Sequence, residues 1–572
     1  MADLVLGPAL RYAGRTTATV WVETDGPGTV RVECDDAAGE AATWSVFGRH
    51  YAIVVVDGLA PGRTRPYQVL LDGRQVWPAR PSVFPPSVIR TAGDDSEPRR
   101  IAFGSCRWSR PPNREEPDER HLDPDVLDTF ASRLADGAPD ELPDALLLLG
   151  DQVYADEISV RMRDRLATRR DLTRPPGPQV ADYDEYALLY HESWGDPQIR
   201  WLLSTVPSAM IFDDHEIVDD WNTSHSWRAD MAALPWWPER ISGAFASYWV
   251  YQHLGNLDPE ALAADETYNA VRDASDTKQA DEILRAFALR ADADADNDDE
   301  DHPRAWWSYR RDFGRTRLVM LDTRAGRVLT PKNRHIISSR EMAWAEAQFD
   351  EGGYDHLLIG SSLPWLLPHA IHDLESWNEA LCAGARGPRV ARLSEKVRRA
   401  GDLEHWAAFR ESFTAFTGVL RRVSAERPQG EGQPPATISV LSGDVHHAYA
   451  AEAHWPDRND DDPVPADPSQ RPARVVQFTC SPLHNAVPAG IRVGFRLGWG
   501  AAATRLGALL ARHADLPPKP VHWTKLGGPW FGNHLMTLTL HGREAELALD
   551  RAMRPRQGGA PWLRRIGTAK LR

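Results

Sequence analysis

At 572 residues and 42% hydrophobic content, the chain is globular and longer than one ordinary core organises, which predicts two domains or one large domain with insertions. A formal net charge of −16, with no clustered basic face in the sequence, argues against a nucleic-acid-binding surface. Cys34, Cys106, Cys382 and Cys480 lie far apart with no C-x-x-C pair, so neither a disulfide framework nor a zinc ribbon is indicated.

Residues 4–92 read as short alternating runs, Thr17-Ala18-Thr19-Val20-Trp21-Val22 and Tyr51-Ala52-Ile53-Val54-Val55-Val56 among them, separated by Gly, Pro and Asp turns. That texture predicts a small antiparallel β-sandwich over residues 1–92. The turn at 58–64 and the run 67–71 resemble the end of a fibronectin-type module, so the sandwich is expected to be fibronectin/Ig-like. Prolines at 81, 85 and 86 then make a stiff junction.

From residue 100 to 572 the pattern becomes strand, loop, helix, the signature of an α/β domain. Continuous apolar strands, expected where a sheet is covered on both faces, are predicted at 100–106, 144–150, 208–212, 317–322, 356–361, 437–441 and 475–479. Helices are predicted near 124–134, 183–203, 242–254 and 396–422, and a terminal hairpin at 534–540 and 544–549. The acidic run 291–301 predicts a solvated insertion loop, with a weak calcium site as the lesser alternative. The most apolar late stretch, 490–510, is broken by Arg492, Arg496 and Arg505, so no transmembrane segment is expected and any membrane contact would be peripheral. The first residues lack a basic n-region, a twin arginine and an apolar h-region, which predicts a cytoplasmic protein.

Three strand ends concentrate acids and histidines: Gly150-Asp151-Gln152-Val153-Tyr154, Asp213-Asp214-His215-Glu216 and Gly443-Asp444-Val445-His446-His447. Carboxylates crowd together in this way when a cation offsets their repulsion, so the pattern predicts a metal site and, with it, hydrolytic chemistry. Asp151 leaves its strand after a glycine and is placed to bridge two ions. Tyr154, one turn on, offers a phenolate suited to ferric iron. Asp214 is assigned to a metal, His215 to proton donation or substrate contact, and Glu216 to orienting a neighbour. Asp444 and His446, at i and i+2, emerge on one side of an extended turn as two ligands, with His447 turned away as a structural residue. Cys106 ends Phe103-Gly104-Ser105-Cys106 at an equivalent strand end, where it is either a thiolate ligand or a buried apolar residue.

In order, these blocks resemble the Gly-Asp-x-x-Tyr, Gly-Asn-His-Glu and Gly-His-x-His motifs of calcineurin-like metallophosphoesterases. Aspartate stands at the usual asparagine and first-histidine positions, and Gly104-Ser105-Cys106 replaces the opening block. With Leu321-Asp322-Thr323-Arg324 and Ser361-Ser362-Leu363-Pro364-Trp365, these departures resemble the PhoD, or alkaline phosphatase D, branch, over residues 101–480. The resemblance implies a four-layer αββα catalytic domain using Fe(III) and Ca2+, with Zn2+ or Mn2+ as alternatives. By position, Cys106, Asp151, Tyr154 and His446 match the iron ligands, and Asp151 bridges to a calcium side with Asp214 and Asp444. The implied reaction is attack of metal-activated water on a phosphate monoester or diester, either a small molecule or a phospholipid-like substrate. His215 assists the leaving group, and Arg324 holds a phosphate oxygen or, alternatively, makes a structural salt bridge with Asp322 or another acid. A rival reading is a non-catalytic, metal-stabilised carbohydrate- or protein-binding protein, whose metal site would be closed.

Overall fold

The structure is a computed structural model that describes residues 1–79, 81–95, 97–109, 122–293, 305–331, 333–425, 433–455, 471–487, 489–555 and 559–572. Of the predicted acidic loop, residues 294–301 lie outside the described residues.

The first ninety residues form nine strands: β1 Leu4–Ala13, β2 Thr17–Thr24, β3 Thr29–Cys34, β4 Ala37–Ala42, β5 Trp44–Val46, β6 Arg49–Asp57, β7 Thr64–Leu71, β8 Arg74–Trp77 and β9 Val88–Arg90. They make two antiparallel sheets, β1-β2-β6-β5 and β4-β3-β7-β8, with β9 beside β7. The period-2 alternation of β2 explains how the first sheet is used on both faces. Val20 and Val22 join Val30, Val32, Val54 and Val69 in a core between the sheets, while Trp21 faces the rest of the chain and packs against Trp194 and Tyr251.

That second contact is extensive and polar. Arg11, fully buried, donates to the carbonyls of Tyr251 at 2.7 Å and Gln252 at 2.8 Å. Glu23, 1% exposed, accepts from His191 Nε2 at 2.8 Å and Tyr251 Oη at 2.9 Å. Breaking either cluster strands a buried charge, so the amino-terminal sheets are fixed to the α/β part.

Beyond the junction lie β10 Arg99–Gly104, β11 Ala145–Leu149, β12 Ser208–Ile211, β13 Tyr309–Phe313, β14 Thr316–Leu321, β15 His356–Ser361, β16 Thr437–Ser442, β17 Ala448–His454, β18 Arg474–Thr479, β19 His522–Trp530, β20 His534–His541, β21 Glu544–Met553 and β22 Trp562–Lys570. One sheet has the order β12-β11-β10-β20-β21-β22, with β10, β11 and β12 parallel. The other has the order β13-β14-β15-β16-β18-β17-β19, with β14, β15, β16 and β18 parallel. Leu146, Leu148, Met320, Leu358 and Phe478 share one apolar cluster, so residues of both sheets meet in a common core. The predicted hairpin is β20–β21, and it joins the first sheet through β10.

Three predicted helices are interrupted. The 183–203 stretch is two helices, Tyr183–Trp194 and Pro197–Thr205, because Gly195 ends the first and Asp196-Pro197 starts the second. The 242–254 stretch is a helix over Trp237–Tyr248 that passes into a π-turn at Trp249–His253. The 396–422 stretch is Pro388–Ala400 and Arg410–Ala425, separated by Gly401 and by Asp402 at φ 48°. The last break has functional weight, because it releases Glu404 and His405 from helical geometry.

Candidate metal centre

The carboxyl ends of β10, β11, β12, β14 and β16 deliver Cys106, Asp151, Asp213-Asp214, Arg324 and Asp444 to one place, as parallel strands do. β11, β12, β14 and β16 are buried throughout their length, and β10 at every residue but Arg100, so the polar residues just past each strand mark its exit from the core. Close approach of the exits demands glycine at two points. Gly150 adopts φ 111°, and a Cβ there would lie 2.6 Å from Asp213 Cβ. A Cβ on Gly443 would collide with the Ser105 side chain.

Donor atoms of Cys106, Asp151 and His446 lie within 4.8 Å of one another, as do those of Asp151, Asp214 and His215, and those of Asp213, Asp214 and Asp444. Asp151 is therefore common to two groups, and Asp214 links the second to the third. Tyr154 Oη donates to Asp151 Oδ2 at 3.3 Å and accepts from Asn485 Nδ2 at 3.0 Å. Cys106, Asp151, Asp444 and His446 all sit at positive φ, between 49° and 65°. Non-glycine residues adopt this left-handed conformation at a cost, and a cluster of them at one cleft is a mark of a functional site.

Glu216 ties two of the loops together. Its carboxylate accepts from the backbone N–H groups of Asp151 at 2.9 Å, Gln152 at 2.7 Å and Asp213 at 2.8 Å, and from Gln252 Nε2 at 3.1 Å. This is the orienting role expected from sequence. His215 donates through Nδ1 to the Asp156 carboxylate at 2.9 Å, packs against Tyr154 with tilted rings whose centroids are 4.5 Å apart, and donates its backbone N–H to Asp151 Oδ1 at 3.3 Å. Although burial opposes it, the charges of Asp156 and Asp214 raise His215 well above the ordinary histidine value.

Arg324 is fully buried and reaches neither solvent nor, through its side chain, Asp322; only its backbone N–H bonds Asp322, at 2.9 Å. Its guanidinium is bound by Asp213 and Glu404, and lies 3.3 Å from Asp214 and 3.2 Å from Asp444. These ion pairs are with acids other than Asp322. His447 is buried, bonds the Val445 carbonyl at 2.7 Å and is pushed down to about 4 by burial, a structural histidine turned from the cluster.

Sequence reasoning missed Glu404, His405, Glu375 and Asn485. His405 stands between Glu375, 2.7 Å from Nδ1, and Asp444, 2.9 Å from Nε2. With Arg324 it holds the Asp444 carboxyl below the ordinary range, against the opposing effect of burial. An acid-histidine pair inside an apparent helix gives little signal, and Asn485 lies past β18 in a segment without a motif.

The electrostatics suit cations. Burial, reinforced by mutual repulsion, raises the carboxyls of Asp151, Asp213 and Asp214, and Asp213 Oδ2 is buried with no hydrogen-bond partner among the described residues. Burial and the charges of Asp151 and Asp444 likewise raise the Cys106 thiol. A cation in this position reverses each of these shifts. The cluster is also open on one side: Asp444 and His215 side chains retain 19% and 12% exposure, whereas Cys106, Asp151 and Tyr154 are buried.

Residues 131–367 match the PhoD-like phosphatase family, and residues 1–89 match a domain of unknown function, DUF7800. No curated protein matches the chain. Among solved structures, one of PhoD is similar over 99% of this chain and 92% of its own, at 12% identity and a TM-score of 0.56. A purple acid phosphatase from yellow lupin (Lupinus luteus) seeds is similar over 97% of this chain and 73% of its own, at 10% identity and a TM-score of 0.45. The family match spans Asp151, Tyr154, Asp214, His215 and Arg324, while Cys106, Asp444 and His446 reach the same cluster from outside it. The chain thus carries, over residues 131–367, a PhoD-like phosphatase domain.

Proposed function

We propose that the chain hydrolyses phosphate monoesters or diesters at a binuclear metal centre. The observation that supports this most directly is the sharing of Asp151 between a group with the sulfur and imidazole donors of Cys106 and His446 and a second group with Asp214 and His215, which Asp214 in turn links to the all-carboxylate set Asp213, Asp214 and Asp444. Cys106, Tyr154 and His446 suit Fe(III), and Asp214 and Asp444 suit Ca2+, with Asp151 between them. Bound there, the ions supply Lewis acidity toward a phosphoryl oxygen and a lowered pKa for water.

The chain's own residues then divide the remaining work. Asp156 fixes the His215 ring through Nδ1, leaving Nε2 to carry a proton to the leaving alkoxide at the open edge. Arg324 acts through Asp214 and Asp444, which it orients, because its buried donors are already engaged by carboxylates. Glu216 and His405 hold the ligand loops in register. The open edge favours this reading over the closed site of a metal-braced binding protein. In the same proposal, residues 1–92 are a fibronectin/Ig-like sandwich, and residues 100–572 a four-layer αββα catalytic domain.

The test is elemental analysis together with turnover of a panel of phosphate mono- and diesters, for the natural chain and for Asp151→Asn. Iron and calcium near one equivalent each, both lost with turnover in the variant, are expected. A metal-loaded natural chain inactive on every ester refutes the proposal.

A further inference from the structure

Residues 471–514 contain six arginines and no acid, in a chain with 82 acidic residues. The arginines are spread out, so no basic run shows in the sequence. Two helices within this stretch, Ala489–Gly498 and Ala501–His513, gather four of them with four large apolar side chains on solvent-facing surface. Val493 is 54% exposed, Leu497 64%, Leu506 59% and Leu509 58%, beside exposed Arg492, Arg496, Arg505 and Arg512. Val493 and Leu497 are one turn apart, as are Leu506 and Leu509, so each pair shares a helix face.

The usual amphipathic order is only partly kept here. A helix of a globular protein turns its leucines inward. In this pair the inward residues include glycines: a Cβ on Gly498 would lie 3.1 Å from Pro368 Cβ, and one on Gly507 2.8 Å from the Asp373 carboxylate. The helices are thus pressed closely on the His369–Cys382 helix by small residues, with Phe495 packed inward and Val493, Leu497, Leu506 and Leu509 left outside. No carboxylate among the described residues pairs with Arg492, Arg496, Arg505 or Arg512. Arg492 and Arg496 instead lie over the Phe531 ring, at 6.0 and 5.1 Å.

Apolar side chains ringed by unneutralised guanidiniums match an anionic lipid surface, where the former enter the headgroup boundary and the latter meet phosphates. We propose that the 489–513 helical pair is a peripheral docking site for anionic phospholipid membranes. The site is coupled to the metal cluster by contact: Phe495 packs on His447 with ring centroids 3.9 Å apart, next to His446. The docking surface and the cluster thus share the 443–447 loop. No described helix is long and apolar enough to cross a membrane, which agrees with a surface mode.

The test is flotation of the full chain with vesicles of phosphatidylcholine and phosphatidylglycerol in equal parts, against vesicles of phosphatidylcholine alone. The natural chain is expected to float with the anionic vesicles only, and to be released by about 0.5 M salt, where the Debye length falls to roughly 4 Å. Arg496→Gln/Arg505→Gln/Arg512→Gln should weaken partitioning on the order of 100-fold, and Leu497→Ser/Leu506→Ser/Leu509→Ser should abolish it. Circular dichroism and thermal midpoints matching the natural chain establish that each variant is folded. Absence of binding to anionic vesicles, or undiminished binding by both folded variants, overturns the proposal. So does a lipid-free dimer, seen by sedimentation velocity, that the serine variant dissociates. None of these readouts needs turnover, so the surface is tested separately from the hydrolytic reading.

Discussion

Glu216 offers the sharpest test of how the ligand loops are held. In Glu216→Gln the side chain keeps its shape but one terminal oxygen becomes an NH2 group. One oxygen now accepts from Asp151 and Asp213 N–H, and the other from Gln152 N–H and Gln252 Nε2. The amide can satisfy only one of these pairs, so two charge-assisted bonds are lost, each worth about 1.5–3 kcal/mol. Gln252 relieves part of this, because its Oε1 is buried without a partner and an amide flip presents it to the new NH2. The net destabilisation is then about 2–3 kcal/mol, and the displaced Asp151 should weaken metal retention about 10–100-fold. Denaturant unfolding of the metal-loaded proteins, with metal content measured after dialysis against a mild chelator, reads both quantities. Natural unfolding midpoints and natural metal retention in the variant would show that Glu216 does not hold these loops.

Other consequences are independent of this one. His215→Ala should lower turnover about 100–10,000-fold while leaving metal content nearly unchanged, and natural turnover in that variant removes His215 from proton transfer. Tyr154→Phe should abolish any phenolate-to-iron charge-transfer band in the visible spectrum, and an unchanged band rules the phenol out as a ligand. The histidines His253, His356 and His534 are pushed down by burial to about 3, 4 and 3, and His372 falls well below its usual value. Each is neutral when folded but protonated when unfolded below pH 6.5, so the stability they contribute is present above that value and lost as pH falls toward 4. Each such group steepens the loss by at most about 1.4 kcal/mol per pH unit, and a thermal midpoint that rises as pH falls from 6.5 to 5 would contradict it. Arg11→Met should destabilise the chain by about 3–5 kcal/mol by removing the donor that ties Tyr251 and Gln252 carbonyls to the amino-terminal sheet, an effect visible as a lower melting temperature.

The strands and the strand-end motifs were legible because their signals are local. Four leucines followed by Gly150 and Asp151 announce a buried strand, a tight exit and a polar residue within seven positions, and the same logic holds at Phe212 and Ser442. Helix boundaries were less so. The 396–422 stretch has helical periodicity on both sides of Gly401, and only its packing against the cluster shows that Glu404 and His405 leave the helix to meet Arg324 and Asp444. Arg324 itself was ambiguous in sequence, since a guanidinium beside a strand end serves a substrate and a carboxylate equally well. In the structure its guanidinium is fully buried among four carboxylates.

Residue order alone therefore determined which strands exist, which of their ends carry candidate metal ligands and which family the pattern resembles, because hydrophobic period and ligand type are properties of neighbours in the chain. The tertiary structure alone decided that Asp151 is shared between donor groups, that Arg324 is surrounded by carboxylates, and that leucines of the 489–513 helices face outward. Those facts depend on distances between residues far apart in sequence, which only the register of two sheets and the packing of helices upon them can set.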